Sequence, residues 1–193
     1  NRCIEDIICS DTGIDPDRIH YLKAGDAVDL RNGDSNKKHG SKDNIEVMWP
    51  DKKTMSEYAK QIENPEDENE ACLILKLNIE GKSILATGDI GEELMDDIAC
   101  NEVDCDILKV PHHGSKYSIS DKFIDAASPE YAVIQVGKNN YGHPAPETVH
   151  KYESLKGKII HGTTFAGLYR NDECGAVGFE IRKGKIRRIR TIK

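Results

Sequence analysis

The most regular hydrophobic pattern in the chain begins at residue 71. Ala71 to Ile79 alternates, with Leu73, Leu75 and Leu77 on one face, which predicts a β-strand. Glu80-Gly81-Lys82 predicts a hairpin turn, and Ser83 to Thr87 the returning strand. Ile90, Leu94 and Ile98 then recur at a spacing of four, predicting a helix over 91–99. Asp106 to Val110 reads as a buried strand. Ser120 is placed to cap a helix running to about Ala127, with Phe123 and Ile124 inward. Tyr131 to Val136 is a further strand, ended by Gly137. Pro144 and Pro146 open a helix whose inner face is Val149, Tyr152 and Leu155. Strands are expected at 158–161, 175–181 and 185–192. Upstream, Ile45, Val47, Met48 and Trp49 predict a strand closed by Pro50, and residues 63–70 an acidic loop. Residues 1–42 carry turn signals and two candidate short strands, Ile19 to Leu22 and Ala27 to Leu30. The order is two antiparallel strands, alternating strands and helices, then a closing hairpin. It predicts an α/β fold, a mixed sheet covered by helices on one face.

A length of 193 residues suits one domain with a sizeable core. No apolar run approaches membrane-spanning length, so no membrane contact is expected from this chain, and scattered cysteines that do not demand disulfides make a reducing cytoplasm the expectation. The net charge of −7 is unevenly spread. Arg182 to Lys193 holds seven Lys/Arg and no acid, leaving 20 of the 27 basic residues against all 34 acidic ones. Such a segment either tracks a phosphate backbone or protects a sheet edge from pairing. The six cysteines include no Cys-x-x-Cys pair, which excludes a zinc ribbon or a thioredoxin-type motif.

The candidate chemistry lies at two strand ends. Ile84-Leu85-Ala86-Thr87-Gly88-Asp89 delivers a carboxylate, and Asp106 to Val110 runs through Pro111 into His112-His113-Gly114-Ser115. A carboxylate and imidazoles presented this way suit a zinc- or manganese-type ion. Asp89 also has a simpler reading, as the N-cap of the helix that follows. Either histidine could ligate, with His113 preferred and His112 left to substrate or to a supporting contact. Ser115 and Lys116 are candidate phosphate contacts, through a hydroxyl and a charge. His143, in the loop Asn140-Tyr141-Gly142-His143-Pro144, is a candidate general acid or phosphate contact. His161 is a weaker candidate for the same cleft.

Thr87-Gly88-Asp89, the His-His-Gly-Ser run and the Tyr-Gly-His-Pro loop together resemble the metallo-β-lactamase superfamily, and within it the metallo-hydrolase domain of bacterial competence (DNA-uptake) channel proteins. The resemblance runs from about Asp43 to Lys193. It implies a four-layer αββα sandwich with two divalent metals, zinc or manganese, between its halves. Asp89 would bridge the metals and a histidine of the 112–113 pair would ligate one. The first half of such a domain supplies a His-x-His-x-Asp-His motif. The seven histidines here are 20, 39, 112, 113, 143, 150 and 161, and no two are separated by one residue. The chain therefore reads as the C-terminal half, residues 43–193, with residues 1–42 connecting it to a missing N-terminal half.

Ligand counting supports that division. A catalytic zinc takes three protein ligands and a water, and Asp89 with one histidine supplies two. The expectation is a metal-dependent phosphodiesterase acting on DNA, active only when the N-terminal half arrives as a separate chain, a cleaved fragment or sequence outside this one. The alternatives are a small-molecule phosphoesterase or other metallo-hydrolase, and a non-catalytic module that docks a partner.

Overall fold

The computed structural model describes residues 14–15, 22–30, 43–51, 53, 69 and 72–189. Its main sheet has seven strands in the order β1-β2-β3-β4-β5-β6-β9. These are β1 (Ala27–Asp29), β2 (Asn44–Trp49), β3 (Ile74–Ile79), β4 (Lys82–Ala86), β5 (Ile107–Lys109), β6 (Tyr131–Ile134) and β9 (Gly167–Arg170). The first four pair antiparallel. From β4 onward every pairing is parallel. The fold is thus α/β with a mixed sheet, as the pattern predicts.

Three helices carry the parallel crossovers: α1 (Glu92–Ile98), α2 (Asp121–Ala127) and α3 (Pro146–Glu153). Each step moves one strand in the same direction, and crossovers of one hand then put all three helices on one face. The core lies between them and the sheet. Leu94, Met95 and Ile98 of α1, Phe123 and Ile124 of α2 and Tyr152 of α3 pack on Ile74, Leu85, Leu108, Ala132 and Ile134. Ser120 caps α2 by accepting a hydrogen bond from the Phe123 backbone N–H, 2.9 Å. Its hydroxyl also donates to Asp96 of α1, so the cap ties two helices together.

The leucine stripe of β3 faces the other way. Register places Lys76 beside Leu85, on the helix side, where its ammonium reaches the Glu102 carbonyl at 2.9 Å and the Asp104 carboxylate at 3.0 Å. Leu75 and Leu77 lie opposite Ala86 and Ile84, on the face opposite these three helices. Both leucines are only half-buried, and Leu73, just before the strand, is 51% exposed.

The C-terminal third departs from the expected strand list. Ile159–Ile160 forms only a two-residue ladder, β7, with Thr163–Thr164, β8, about a His161-Gly162 turn. Ile159 is 71% exposed while Ile160 joins the core, so only one of the apolar pair is buried. The parallel partner of β6 is instead β9, whose four residues are too few to display a period. The short helix α4 (Asn171–Cys174) follows it. The final hairpin, β10 (Gly178–Arg182) and β11 (Lys185–Ile189), forms a separate two-stranded sheet, in which the basic β11 is an edge strand. Phe179 packs on Tyr131 and Tyr169, with ring centroids 5.2 and 6.1 Å apart, and the Arg188 guanidinium lies 4.2 Å over the Tyr169 ring. The Lys183 N–H donates to the Glu80 carboxylate in the β3–β4 turn. The segment Ile19 to Leu22, apart from Leu22, and the acidic loop, apart from Asn69, lie outside the described residues, as do residues 190–193. Among the described residues no helix is long and apolar enough to cross a membrane.

Replacing Ser120 by Ala removes the α2 cap and its link to α1. The expected loss is about 1–2 kcal/mol of unfolding free energy, measured by urea titration. An unchanged midpoint would show that the cap carries no weight.

Candidate functional site

Parallel strands place their carboxyl ends together, and those of β4, β5 and β6 carry the candidate residues. The buried Thr87 hydroxyl donates to the Lys109 carbonyl, 2.9 Å. The Gly88 carbonyl accepts the His112 backbone N–H at 3.1 Å and the Lys109 ammonium at 3.0 Å. Gly88 sits at φ +59, and a Cβ there would come within 2.7 Å of the Cys72 Cβ. This close approach fixes where Asp89 leaves the strand. The α1 N-cap is Gly91, with no side-chain cap hydrogen bond, so Asp89 does not fill the capping role that its position also allowed.

The second tip is a tight 3-10 turn, Pro111–Gly114. His112 and His113 both hold left-handed backbone, at φ 48 and 53. Two successive left-handed residues that are not glycine cost about 1–2 kcal/mol each. The turn turns both rings toward the cleft, although adjacent side chains on an ordinary strand would diverge. Gly114 follows at φ +80, and a Cβ there would lie 2.9 Å from the Pro144 Cβ. Its carbonyl accepts the Ala145 N–H at 2.8 Å, which docks the His143 loop against the histidine turn.

His113 is the best oriented of the candidates. Its Nδ1 lies 2.6 Å from the Gln135 carbonyl, a contact that requires the proton on Nδ1. Its Nε2 then faces Asp89 Oδ1 at 3.5 Å, with both side chains partly exposed. With Nδ1 committed to Gln135, Nε2 and the Asp89 carboxylate oxygen meet through a proton or through a cation. Two donors each about 2.1 Å from a tetrahedral ion stand about 3.4 Å apart, so the pair has the spacing of shared ligation. A backbone carbonyl holding the other ring nitrogen is the usual support for a ligating histidine. The donor set fits a metal in chemistry and is short in number: among the described residues no group of three or more His, Cys, Asp or Glu side chains is arranged to hold one.

His112 points its ring edge at His143, centroids 5.3 Å apart. Burial lowers its pKa below the ordinary imidazole value, against the pull of Asp89 and with help from the neighbouring histidines and Lys109. His143 lies in a loop organised by Asn139. The Asn139 Oδ1 accepts the backbone N–H groups of Tyr141 and His143, at 3.0 and 3.1 Å, and its Nδ2 donates to the carbonyls of Gly137 and His143. Lys109, on the sheet face opposite the three helices, is held with its pKa lowered by burial, which the Asp89 carboxylate opposes.

Asp89, His112, His113 and His143 are therefore gathered at one place. Ser115 is not open to it: the residue is buried, and its hydroxyl accepts the Tyr117 N–H at 3.3 Å. Lys116 is exposed, its ammonium 4.9 Å over the Tyr117 ring. His161 stands apart, paired with Asp125 of α2 at 2.9 Å. Sequence reasoning missed Lys109 and Asn139. Asn139 had a signal, since an Asn two residues before a Tyr-Gly turn favours this kind of side-chain-closed loop. Lys109 had none, because a lysine inside an apolar strand discloses no partner.

No family model matches the chain. Three characterised bacterial proteins are similar to part of it. ComE operon protein 3 of Bacillus subtilis (strain 168) is 40% identical over 123 residues, 62% of this chain and 15% of that protein. Competence protein ComA of Neisseria gonorrhoeae is 34% identical over 137 residues, 67% of this chain and 18% of its own. Recombination protein 2 of Haemophilus influenzae (strain ATCC 51907 / DSM 11121 / KW20 / Rd) is 34% identical over 109 residues, 54% of this chain and 13% of its own. The chain thus spans less than a fifth of the length of the curated relatives it matches.

Two outcomes follow from the histidine turn. Because His112 is left-handed, His112→Gly should be about 1 kcal/mol more stable than His112→Ala in urea unfolding. Equal midpoints would deny the turn its backbone strain. With chelator present, His112 should titrate by NMR below the ordinary value of about 6.5. Its folded pKa is lowered, so the stability given by the neutral ring is complete above about pH 6.5 and is lost as pH falls through the folded pKa. A midpoint at or above 6.5 would contradict this.

Proposed function

We propose that this chain is the C-terminal half of a two-metal phosphodiesterase acting on DNA, and that it works when an N-terminal half supplies the remaining ligands. The observation that carries the reading is the facing of Asp89 Oδ1 and His113 Nε2, 3.5 Å apart with the His113 Nδ1 already committed to Gln135. The likeness to proteins named for competence and recombination supports DNA as the substrate. Among the described residues, the half-buried stripe of Leu75 and Leu77 supports the missing half as a cover for that part of the sheet face.

Asp89 and His113 would hold the metals, with His112 adjoining them. When bound, such ions activate water at neutral pH and offset charge on phosphate oxygens. The chain's own groups do the rest. Lys109, bonded to the Gly88 carbonyl, holds the tip that presents Asp89 and sets a positive charge beside it. The Gln135 carbonyl fixes the His113 tautomer. His143, gripped through its backbone by Asn139, gives a ring proton to the departing oxygen. The turn of the basic hairpin meets Glu80, at the end of β4 away from Asp89.

A partner-docking module without catalysis is the second reading, favoured by the shortage of ligands among the described residues. Asp89→Asn separates the two. With the chain co-expressed beside a segment carrying a His-x-His-x-Asp-His motif, the substitution should remove bound zinc or manganese and cut nucleotide release from single-stranded DNA by about 100-fold or more. Unchanged release would leave the docking module standing. Turnover only of small phosphodiesters would make the enzyme a small-molecule phosphoesterase.

A further inference from the structure

Tyr141 is 85% exposed, the most open of the large hydrophobic side chains among the described residues. An exposed ring on its own means little, but this one is held in place. Its backbone N–H is bonded to Asn139 Oδ1 at 3.0 Å, and Asn139 closes the loop with three further hydrogen bonds. The ring stacks on His143, centroids 6.0 Å apart and planes inclined by 23°. It lines a cup of about 220 Å³ with His113, Gly137, Lys138, Asn139 and His143. That is below the roughly 300 Å³ at which pockets for whole drug-sized ligands begin, and it suits one ring. Lys138 is exposed at the rim and forms no ion pair among the described residues.

Resting on the phosphodiesterase reading, we infer that Tyr141 is a stacking platform for the nucleobase beside the phosphate that is cut. Lys138 contacts the adjoining phosphate of the same single strand. The cup shares His113 and His143 with the group around Asp89, so a base lying on Tyr141 brings its own phosphate to that group. Every base has a π-face, so the platform accepts any of the four and gains nothing from a strand that lacks a base at that position. It also favours single strands, because a base in a duplex is stacked already and unavailable to the ring.

The test is binding without turnover. A fluorescein-labelled pentathymidylate and the same strand with a central abasic residue are titrated with the protein, with and without Mn²⁺, and followed by anisotropy. Tyr141→Ala should weaken binding of the intact strand about 5- to 100-fold. Tyr141→Phe should stay within about twofold of the parent, because the ring carries the stack. The abasic strand should bind parent and Tyr141→Ala alike, and Lys138→Ala should weaken both strands and lower the salt dependence. Thermal melts of the variants check that the exposed substitutions leave the fold intact. Equal weakening of intact and abasic strands by Tyr141→Ala, no effect of it, or no binding of either strand by the parent would overturn the platform. Base-dependent binding with no hydrolysis by the reconstituted protein would sink the nuclease reading and leave the platform. Hydrolysis indifferent to Tyr141→Ala would do the reverse.

Discussion

The carbonyl oxygen of Gly88 holds the candidate site together. It accepts the His112 N–H from one strand tip and the Lys109 ammonium from within the adjacent strand. Both donors belong to the β5 segment and the acceptor to the β4 tip, so the spacing between Asp89 and the histidines is set by hydrogen bonds rather than by loop chance. A cation donating to a carbonyl in a partly buried setting makes a stronger hydrogen bond than a neutral pair. The same lysine balances the Asp89 carboxylate. The Gly114 carbonyl plays the matching part on the other side, docking the His143 loop through Ala145.

Around these anchors the chain accepts local strain. His112 and His113 both hold left-handed backbone that glycine would occupy at lower cost. The surroundings enforce it. Pro111 and Gly114 are buried on either side, and the buried Thr148 hydroxyl donates to the Ser115 carbonyl at 2.9 Å. A stable core under α1, α2 and α3 supplies the stiffness on which such a turn can be built. Strain in this place fits a functional constraint better than a packing one, since the two rings it directs are only partly buried.

Two separate observations point to an unfinished surface. The donors around Asp89 are too few for a metal centre among the described residues. On the sheet face away from the helices, Val47 and Ile107 are buried while Leu75, Leu77 and Ile84 stand half-buried among the described residues, and the β10–β11 hairpin packs on the Tyr131 and Tyr169 end. A second layer laid on this face would bury the leucines and reach the strand tips with the same movement.

Periodicity and turn chemistry announced β2 through β6, the three crossover helices and the Ser120 cap, because each is written in local spacing that needs no partner. The residues that gather at the tips were legible too: Asp89, His112, His113 and His143 each follow an apolar strand, and parallel strands must end side by side. β9 was not legible, since four residues carry no period and its strand identity comes from pairing with β6. Nor was the direction of the leucine stripe. Alternation tells that Leu73, Leu75 and Leu77 share a side, but only register with Leu85 and the helices above it decides which side that is. The same limit hid Lys109 and buried Ser115. A sequence specifies what each residue can donate or accept, while the distance to its partner, whether Gly88, Gln135 or solvent, exists only once the strands are assembled.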